Sequence, residues 1–162
     1  MRAFLFTSFM LCLLATSLYS YDASKRKWFF LHGGAEADIV AIGSDVLNVV
    51  GFSYGYGLGV TKDILISADG GGDMNSYGRG VTRTMGNLMY YVDDFSYALL
   101  GVGGCIIELG SPHNLHPCVS LGYGKHLSLG SSVEVSATIF VNAIESEGQA
   151  YMGNLRYRGF WF

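Results

Sequence analysis

The chain has 162 residues, of which half are hydrophobic and only 14% are charged. This length suits one domain, and so small a share of charged residues excludes a disordered or highly charged scaffold. The formal net charge of −3, from 10 basic and 13 acidic residues, gives no case for a nucleic-acid-binding surface, which needs clustered lysine and arginine.

The amino-terminal residues have the layout of a secretory signal peptide. One basic residue precedes an apolar stretch from Ala3 to Ala15, and small and polar residues follow it up to Ser20. The apolar stretch is shorter than the roughly 20 residues that a membrane-spanning helix needs. Cleavage after Ser17 also fits the pattern, but we predict a signal peptide at residues 1–20 and a mature domain at residues 21–162.

Strict alternation of residue types indicates long β-strands. Residues 50–60 have large apolar side chains at even positions and glycine or serine at odd positions. Residues 133–143 alternate as well, with valine, alanine and isoleucine at odd positions. Each stretch is about 11 residues long, the length of a tilted membrane-spanning strand, whereas strands of soluble domains average about 5–6 residues.

Turn signals divide the mature chain into eight predicted strands, at residues 28–42, 49–60, 64–71, 83–92, 95–107, 118–126, 131–144 and 149–162. The connections after the second, fourth and sixth strands are short, and the others are longer or more polar. An even strand count with this asymmetry is typical of outer-membrane barrels. We predict an all-β fold, an eight-stranded antiparallel up-and-down transmembrane β-barrel whose short turns face the periplasm.

Charged residues share the face opposite the apolar one. The lumen of an eight-stranded barrel is filled by side chains, and charges buried there must be paired. Folding the last hairpin near residues 146 and 147 places Glu134 opposite Arg158. We predict an interior ion-pair network of Glu134, Arg156 and Arg158 that locks the lumen, with a proton or ion path as the alternative. Three residues of the first strand could join this network: His32, Glu36 and Asp38.

Two cysteines remain after export. Cys105 and Cys118 lie on either side of a loop centred near residues 111 and 112, so they could face each other across their hairpin. The oxidising periplasm permits a disulfide between them, and two buried free thiols are the alternative. His113 and His116 would complete a set of metal-ligand types, but the spacing matches no specific zinc pattern, so we predict neither a metal nor a cofactor.

The last residues carry a resemblance to known proteins. The chain ends with Phe162, and the aromatic Phe160 stands two places earlier. This ending resembles the terminal strand of bacterial outer-membrane proteins, which the barrel-assembly machinery reads. With the signal peptide and eight strands, the chain resembles the small outer-membrane barrels of the OmpA-transmembrane and OmpX type. Phe160 and Phe162 are out of phase with the apolar alternation of their strand, which a bulge near Gly159 would reconcile.

This resemblance implies a fold and a location in the bacterial outer membrane, among lipid and lipopolysaccharide, but no activity. Arg79, in the predicted loop after the third strand, and Arg83, at the end of that loop, could contact lipopolysaccharide phosphates, and simple solvation is the alternative. We predict a monomeric, non-catalytic protein with a structural role or with surface loops that bind envelope or host components.

Two other functions remain open at this stage. A lipid-modifying enzyme is suggested by His126 and Ser128, which have the His-x-Ser spacing of the lipid A deacylase barrels. Leu129 stands where those barrels have asparagine, however, and the predicted turn places the pair on the periplasmic side. A secreted, lipocalin-like ligand carrier would instead need an apolar lumen and a polar outer surface.

Overall fold

The computed structural model describes residues 26, 28–75, 77–108, 115–128, 130–141 and 150–161. The predicted signal peptide and Phe162 lie outside these residues. Within the described residues, no helix is long and apolar enough to cross a membrane.

Eight antiparallel strands close into a barrel. They are β1 (Phe29–Ile42), β2 (Asp45–Gly59), β3 (Ile64–Met74), β4 (Gly80–Tyr91), β5 (Ser96–Glu108), β6 (Leu115–Ser128), β7 (Ser131–Phe140) and β8 (Ala150–Trp161). Every strand pairs with its sequence neighbours, and β1 pairs with β8 to close the barrel. The predicted eight-stranded, up-and-down antiparallel barrel is therefore confirmed.

The connections define two ends of the barrel. At the end that we term the loop end, the strands are joined by residues 43–44, 75–79, 109–114 and 141–149. At the opposite end, the turn end, they are joined by residues 60–63, 92–95 and 129–130. The first loop-end connection is shorter than predicted, because β2 begins at Asp45 and Gly43 makes a tight turn with a φ of 57°.

Strands β3 and β4 are longer than the sequence predicted. Gly70, Gly71 and Gly72 belong to β3 and pair with β4, so the strand continues past its predicted end at residue 71 to Met74. Glycine hides this strand in the sequence because it contributes no side chain to an alternating pattern. The connection shrinks to residues 75–79, where the side chain of Asn75 accepts hydrogen bonds from the backbone N–H groups of Tyr77 and Arg79, at 2.9 and 3.0 Å.

The last strand needs no bulge. Its pairing with both β1 and β7 is continuous through Gly159. Phe160 points into the lumen and is buried, while Trp161 points outward. The predicted bulge is wrong, because Phe160 is an interior residue that follows the parity of the charged side chains of β8.

The register of the last hairpin also differs from the prediction. Phe140 pairs with Ala150, so the hairpin is centred at residue 145, and Glu134 lies opposite Arg156 rather than Arg158. The predicted pairing is off by two residues. Since side chains alternate with a period of two, this shift leaves every residue on the predicted face.

Interior side chains form three layers along the barrel. An apolar loop-end cluster contains Val40, Ile42, Val49, Val81, Met85, Cys105, Ile107, Cys118, Phe140, Ala150 and Met152. An apolar turn-end cluster contains Phe30, Leu65, Met89, Tyr91, Tyr97, Leu99 and Phe160. Between them lies a layer of buried charged side chains, which we term the ionic belt: His32, Glu36, Asp38, Asp69, Asp73, Arg83, Glu134, Arg156 and Arg158.

Candidate functional site

Arg83 is the cation of the loop-side half of the ionic belt. Its Nη1 donates a hydrogen bond of 2.9 Å to Asp38 Oδ2 and lies 3.6 Å from Asp73 Oδ2. Its Nη2 contacts Glu36 Oε2. A single guanidinium therefore contacts three carboxylates, two through Nη1 and one through Nη2.

Arg156 and Arg158 hold the turn-side half of the belt. Arg156 Nε donates a hydrogen bond of 2.8 Å to Glu36, and Arg156 Nη1 donates one of 3.1 Å to Glu134 Oε1. Arg158 Nη2 lies 2.9 Å from Asp69 Oδ2 and 3.6 Å from Glu134 Oε1. The structure thus brings together Glu134, Arg156 and Arg158, the three residues that the sequence assigned to an interior network.

A histidine, a tyrosine and an asparagine also contact the carboxylates of the belt. His32 Nε2 lies 2.9 Å from Asp69 Oδ1, and the hydroxyl of Tyr97 donates a hydrogen bond of 3.3 Å to Glu134 Oε2. The side-chain amide of Asn154 donates a hydrogen bond to Asp38. These contacts connect strands from around the whole barrel, because His32, Tyr97 and Asn154 lie on β1, β5 and β8.

The belt has more acidic than basic groups. Among the described residues, five carboxylates (Glu36, Asp38, Asp69, Asp73 and Glu134) face three arginines and one histidine. One carboxylate oxygen from each of Glu36, Asp38 and Asp73 lies within 4.8 Å of the corresponding oxygens of the other two. These oxygens are suitable donors for a hard cation, but the guanidinium of Arg83 already supplies the positive charge at this trio.

Sequence reasoning missed three members of the belt, Asp69, Asp73 and Arg83. The first two lie beside the glycine run of β3, where alternation is not visible, and Arg83 stands at the boundary between a predicted loop and the predicted fourth strand. Arg83 is only 4% exposed, so the predicted contact between Arg83 and lipopolysaccharide is wrong. Arg79 is exposed in the β3–β4 connection and stays available for that contact.

Inward glycines give the belt and the turn-end cluster their space. A Cβ atom added at Gly55 would lie 2.7 Å from the ring of His32, and one added at Gly124 would lie 2.2 Å from the ring of Tyr97. The large side chains of neighbouring strands therefore fill the room that glycine leaves. One remaining cavity among the belt residues has a volume of about 10 Å³, which is about the space of a single water molecule.

Solved structures with the same eight-stranded barrel architecture were found by comparison with known proteins. No model of a known family and no curated protein sequence matches the chain. Among solved structures, Ail, the attachment invasion locus protein of Yersinia pestis, matches with a TM-score of 0.58 and 12% identity, over 83% of this chain and 97% of that chain. Neisserial surface protein A (NspA) matches with a TM-score of 0.57 and 10% identity, over 82% of this chain and 95% of that chain.

A third match is the N-terminal β-barrel domain of Pseudomonas aeruginosa OprF, with a TM-score of 0.52 and 12% identity, over 80% of this chain and 97% of that chain. The chain has the fold of the small eight-stranded outer-membrane barrels. The resemblance inferred from the sequence is thus confirmed for the fold, which is what similarity at these identities shows.

The turn end of this small barrel is closed by an arginine and an aromatic group. Arg26 is buried, and its Cζ lies 3.7 Å from the centre of the Tyr91 ring. Its guanidinium also donates hydrogen bonds to the backbone carbonyls of Lys62 and Asp94. Because these carbonyls belong to two different turns, Arg26 ties the turn-end connections to the interior.

His126 belongs to the same closed end. Its Nε2 shares a hydrogen bond of 2.8 Å with the hydroxyl of Tyr91, and its ring contacts Tyr97 and Phe160. The imidazole is therefore buried and packs against aromatic members of the turn-end cluster. A histidine that activates a serine for lipid deacylation would need to lie at the opposite end of the barrel, the loop end.

The two cysteines lie inside the barrel, at its loop end. The Sγ atoms of Cys105 and Cys118 are not bonded in the structure and lie 2.9 Å apart. The prediction placed the two cysteines directly opposite each other. In the structure Cys105 pairs with His116 and Cys118 pairs with Gly103, so they are offset along the strands. The thiols meet diagonally across β5 and β6, and Cys118 Sγ also lies 3.4 Å from Met85 Sδ. His113 lies outside the described residues.

Proposed function

We propose that the chain is a non-catalytic bacterial outer-membrane protein that acts as a structural element or through its loop-end connections. Export by the signal peptide at residues 1–20 and a mature barrel domain at residues 21–162 are part of this proposal. The observation that carries it is the inverted polarity of the barrel, which has charged groups inside and apolar groups outside. A soluble protein places these groups the other way round.

The outer surface supports a membrane location. Its exposed side chains are apolar along the middle of the strands, for example Val102, Val135 and Leu155. Exposed aromatic residues gather near the turn end, where a membrane barrel has one of its interfacial girdles. They are Trp28, Phe29, Tyr56, Tyr90, Phe95, Tyr123 and Trp161.

The lumen argues against both alternative functions. A lipocalin-like carrier needs an apolar cavity of at least about 300 Å³ for a small ligand, whereas the space among the belt residues has a volume of about 10 Å³. A lipid-modifying enzyme needs a base and a nucleophile beside the outer leaflet, whereas His126 is buried at the turn end and is hydrogen-bonded to Tyr91. We therefore propose that the barrel has no catalytic activity.

Arg79 is the feature of the described loop-end residues that suits a phosphate. Ail, a barrel of similar fold, has been solved in complex with the heparin analogue sucrose octasulfate. In the described connections of this chain at residues 43–44, 75 and 77–79, Arg79 supplies the positive charge. We propose that Arg79 contacts lipopolysaccharide phosphates, and that the barrel-assembly machinery reads the carboxyl-terminal residues that include Phe160 and Phe162.

A planar-bilayer recording tests the proposed role against that of a pore. Apolar clusters cover the ionic belt at both ends, so a monomer of the wild-type barrel should insert without discrete conductance steps. As a positive control, the double variant Met89→Gly and Leu99→Gly thins the turn-end cluster and should raise the frequency of ion leakage. Stable, uniform conductance steps from the wild-type protein would contradict the closed lumen and favour a channel.

A further inference from the structure

We propose that Cys105 and Cys118 form a disulfide that is made on the exported chain before the barrel closes and is then sealed inside it. The proposal concerns the covalent state of the loop-end cluster, and its only overlap with the proposed function is export into an oxidising compartment.

The positions of the two sulfur atoms favour a bond. Cys105 and Cys118 both point inward from the neighbouring strands β5 and β6, and their Sγ atoms are 2.9 Å apart. A disulfide bond is about 2.05 Å long, so the sulfur atoms need to approach by less than about 1 Å. The two residues are 13 positions apart in the chain, and the ends of so short a segment meet readily before folding.

Burial determines when the bond can form. Cys105 is 0% exposed and Cys118 is 2% exposed, and the apolar loop-end cluster surrounds both residues. Thiol–disulfide exchange proceeds through a mixed disulfide, in which an accessible thiolate of one molecule bonds to a sulfur of another. A protein oxidant cannot reach either sulfur in the closed barrel, so oxidation must precede closure.

The redox balance is that of ordinary disulfide exchange. One cysteine thiolate attacks the disulfide of a periplasmic exchange protein, and the second thiolate then displaces that protein from the mixed disulfide. Two protons leave the cysteines, and two electrons reduce the disulfide of the exchange protein to a dithiol. After closure the same burial protects the bond from reductants.

Intact mass after alkylation tests the covalent state. The mature protein, which lacks Cys12 because the signal peptide has been removed, is extracted from cells without reductant, unfolded in the presence of N-ethylmaleimide and weighed. We expect no maleimide adduct before reduction and two adducts after reduction with dithiothreitol. Two adducts without reduction would overturn the disulfide. The variant Cys118→Ala should carry one adduct in both conditions, which calibrates the reaction.

A second measurement tests the order of events. The reduced wild-type chain is either kept in urea or folded into detergent micelles, and each sample is then given oxidised glutathione. We expect the folded barrel to form the bond at least about a hundredfold more slowly than the unfolded chain, because reaction requires local opening. Equal rates of disulfide formation in the folded and unfolded samples would contradict the claim that the closed barrel shields the two cysteines.

These results are independent of the final location of the barrel. The mass measurement is repeated on the outer-membrane fraction and on the periplasmic fraction. An oxidised protein in the periplasm alone would contradict the proposed membrane function and support the disulfide. A reduced protein in the outer membrane would support the proposed membrane function and contradict the disulfide.

Discussion

Replacing Arg83 with methionine should lower the free energy of unfolding by about 3–5 kcal/mol, the cost of removing one partner from a buried ion pair. Arg83 contacts Glu36, Asp38 and Asp73, and it is only 4% exposed. Without it, three carboxylates, each with one oxygen within 4.8 Å of the others, would repel each other in the interior. Methionine keeps most of the volume, so the lost charge dominates.

Urea unfolding in a fixed lipid or detergent environment measures this change. The matched control is Arg79→Met, which removes the same side chain from an exposed connection and should change stability by less than about 0.5 kcal/mol. Adding Asp73→Asn to Arg83→Met removes one unpaired carboxylate and should recover part of the loss. If Arg83→Met and Arg79→Met behave alike, Arg83 does not lie in the lumen.

Replacing Val135 with arginine should cost about 2–4 kcal/mol in a lipid bilayer, because a charge on the lipid-facing side near the midplane is poorly solvated. Val135 lies in the middle of β7, points outward and is 58% exposed. Ile139, also exposed on β7, offers a second site for the same substitution.

The control for the Val135 prediction is an arginine placed at a different depth in the bilayer. Leu127 is equally outward but lies at the turn end of β6, where an arginine near the interface should cost only about 0–1 kcal/mol. Unfolding of all variants is compared in the same phospholipid vesicles. If Val135→Arg and Leu127→Arg are equally tolerated, the outward face does not contact hydrocarbon.

The fold could be predicted from the sequence where side chains alternate clearly. In β2, apolar residues alternate with glycine and serine, and in β7 a period of two runs from Val133 to Val141. Two such strands, the spacing of turn signals and the aromatic ending were enough to predict a closed eight-stranded barrel. The parity of Glu134, Arg156 and Arg158 also predicted that their side chains share the lumen.

The missing part of the ionic belt has a physical cause. In β3, Gly70, Gly71 and Gly72 break the visible alternation, so the prediction places Asp73 in a loop and Arg83 at the end of that loop. Hairpin register depends on the conformation of the connection, and an error of two residues leaves the hydrophobic pattern unchanged. Which arginine meets which carboxylate is therefore not encoded in the alternation.

The electrophoretic mobility of unboiled and boiled protein from an outer-membrane fraction tests the central claim most directly. A closed membrane barrel locked by its ionic belt should resist SDS until it is heated, so the protein from that fraction should show a heat-dependent mobility shift. Protein found free in the periplasm or the medium, with the same mobility before and after boiling, would contradict the account.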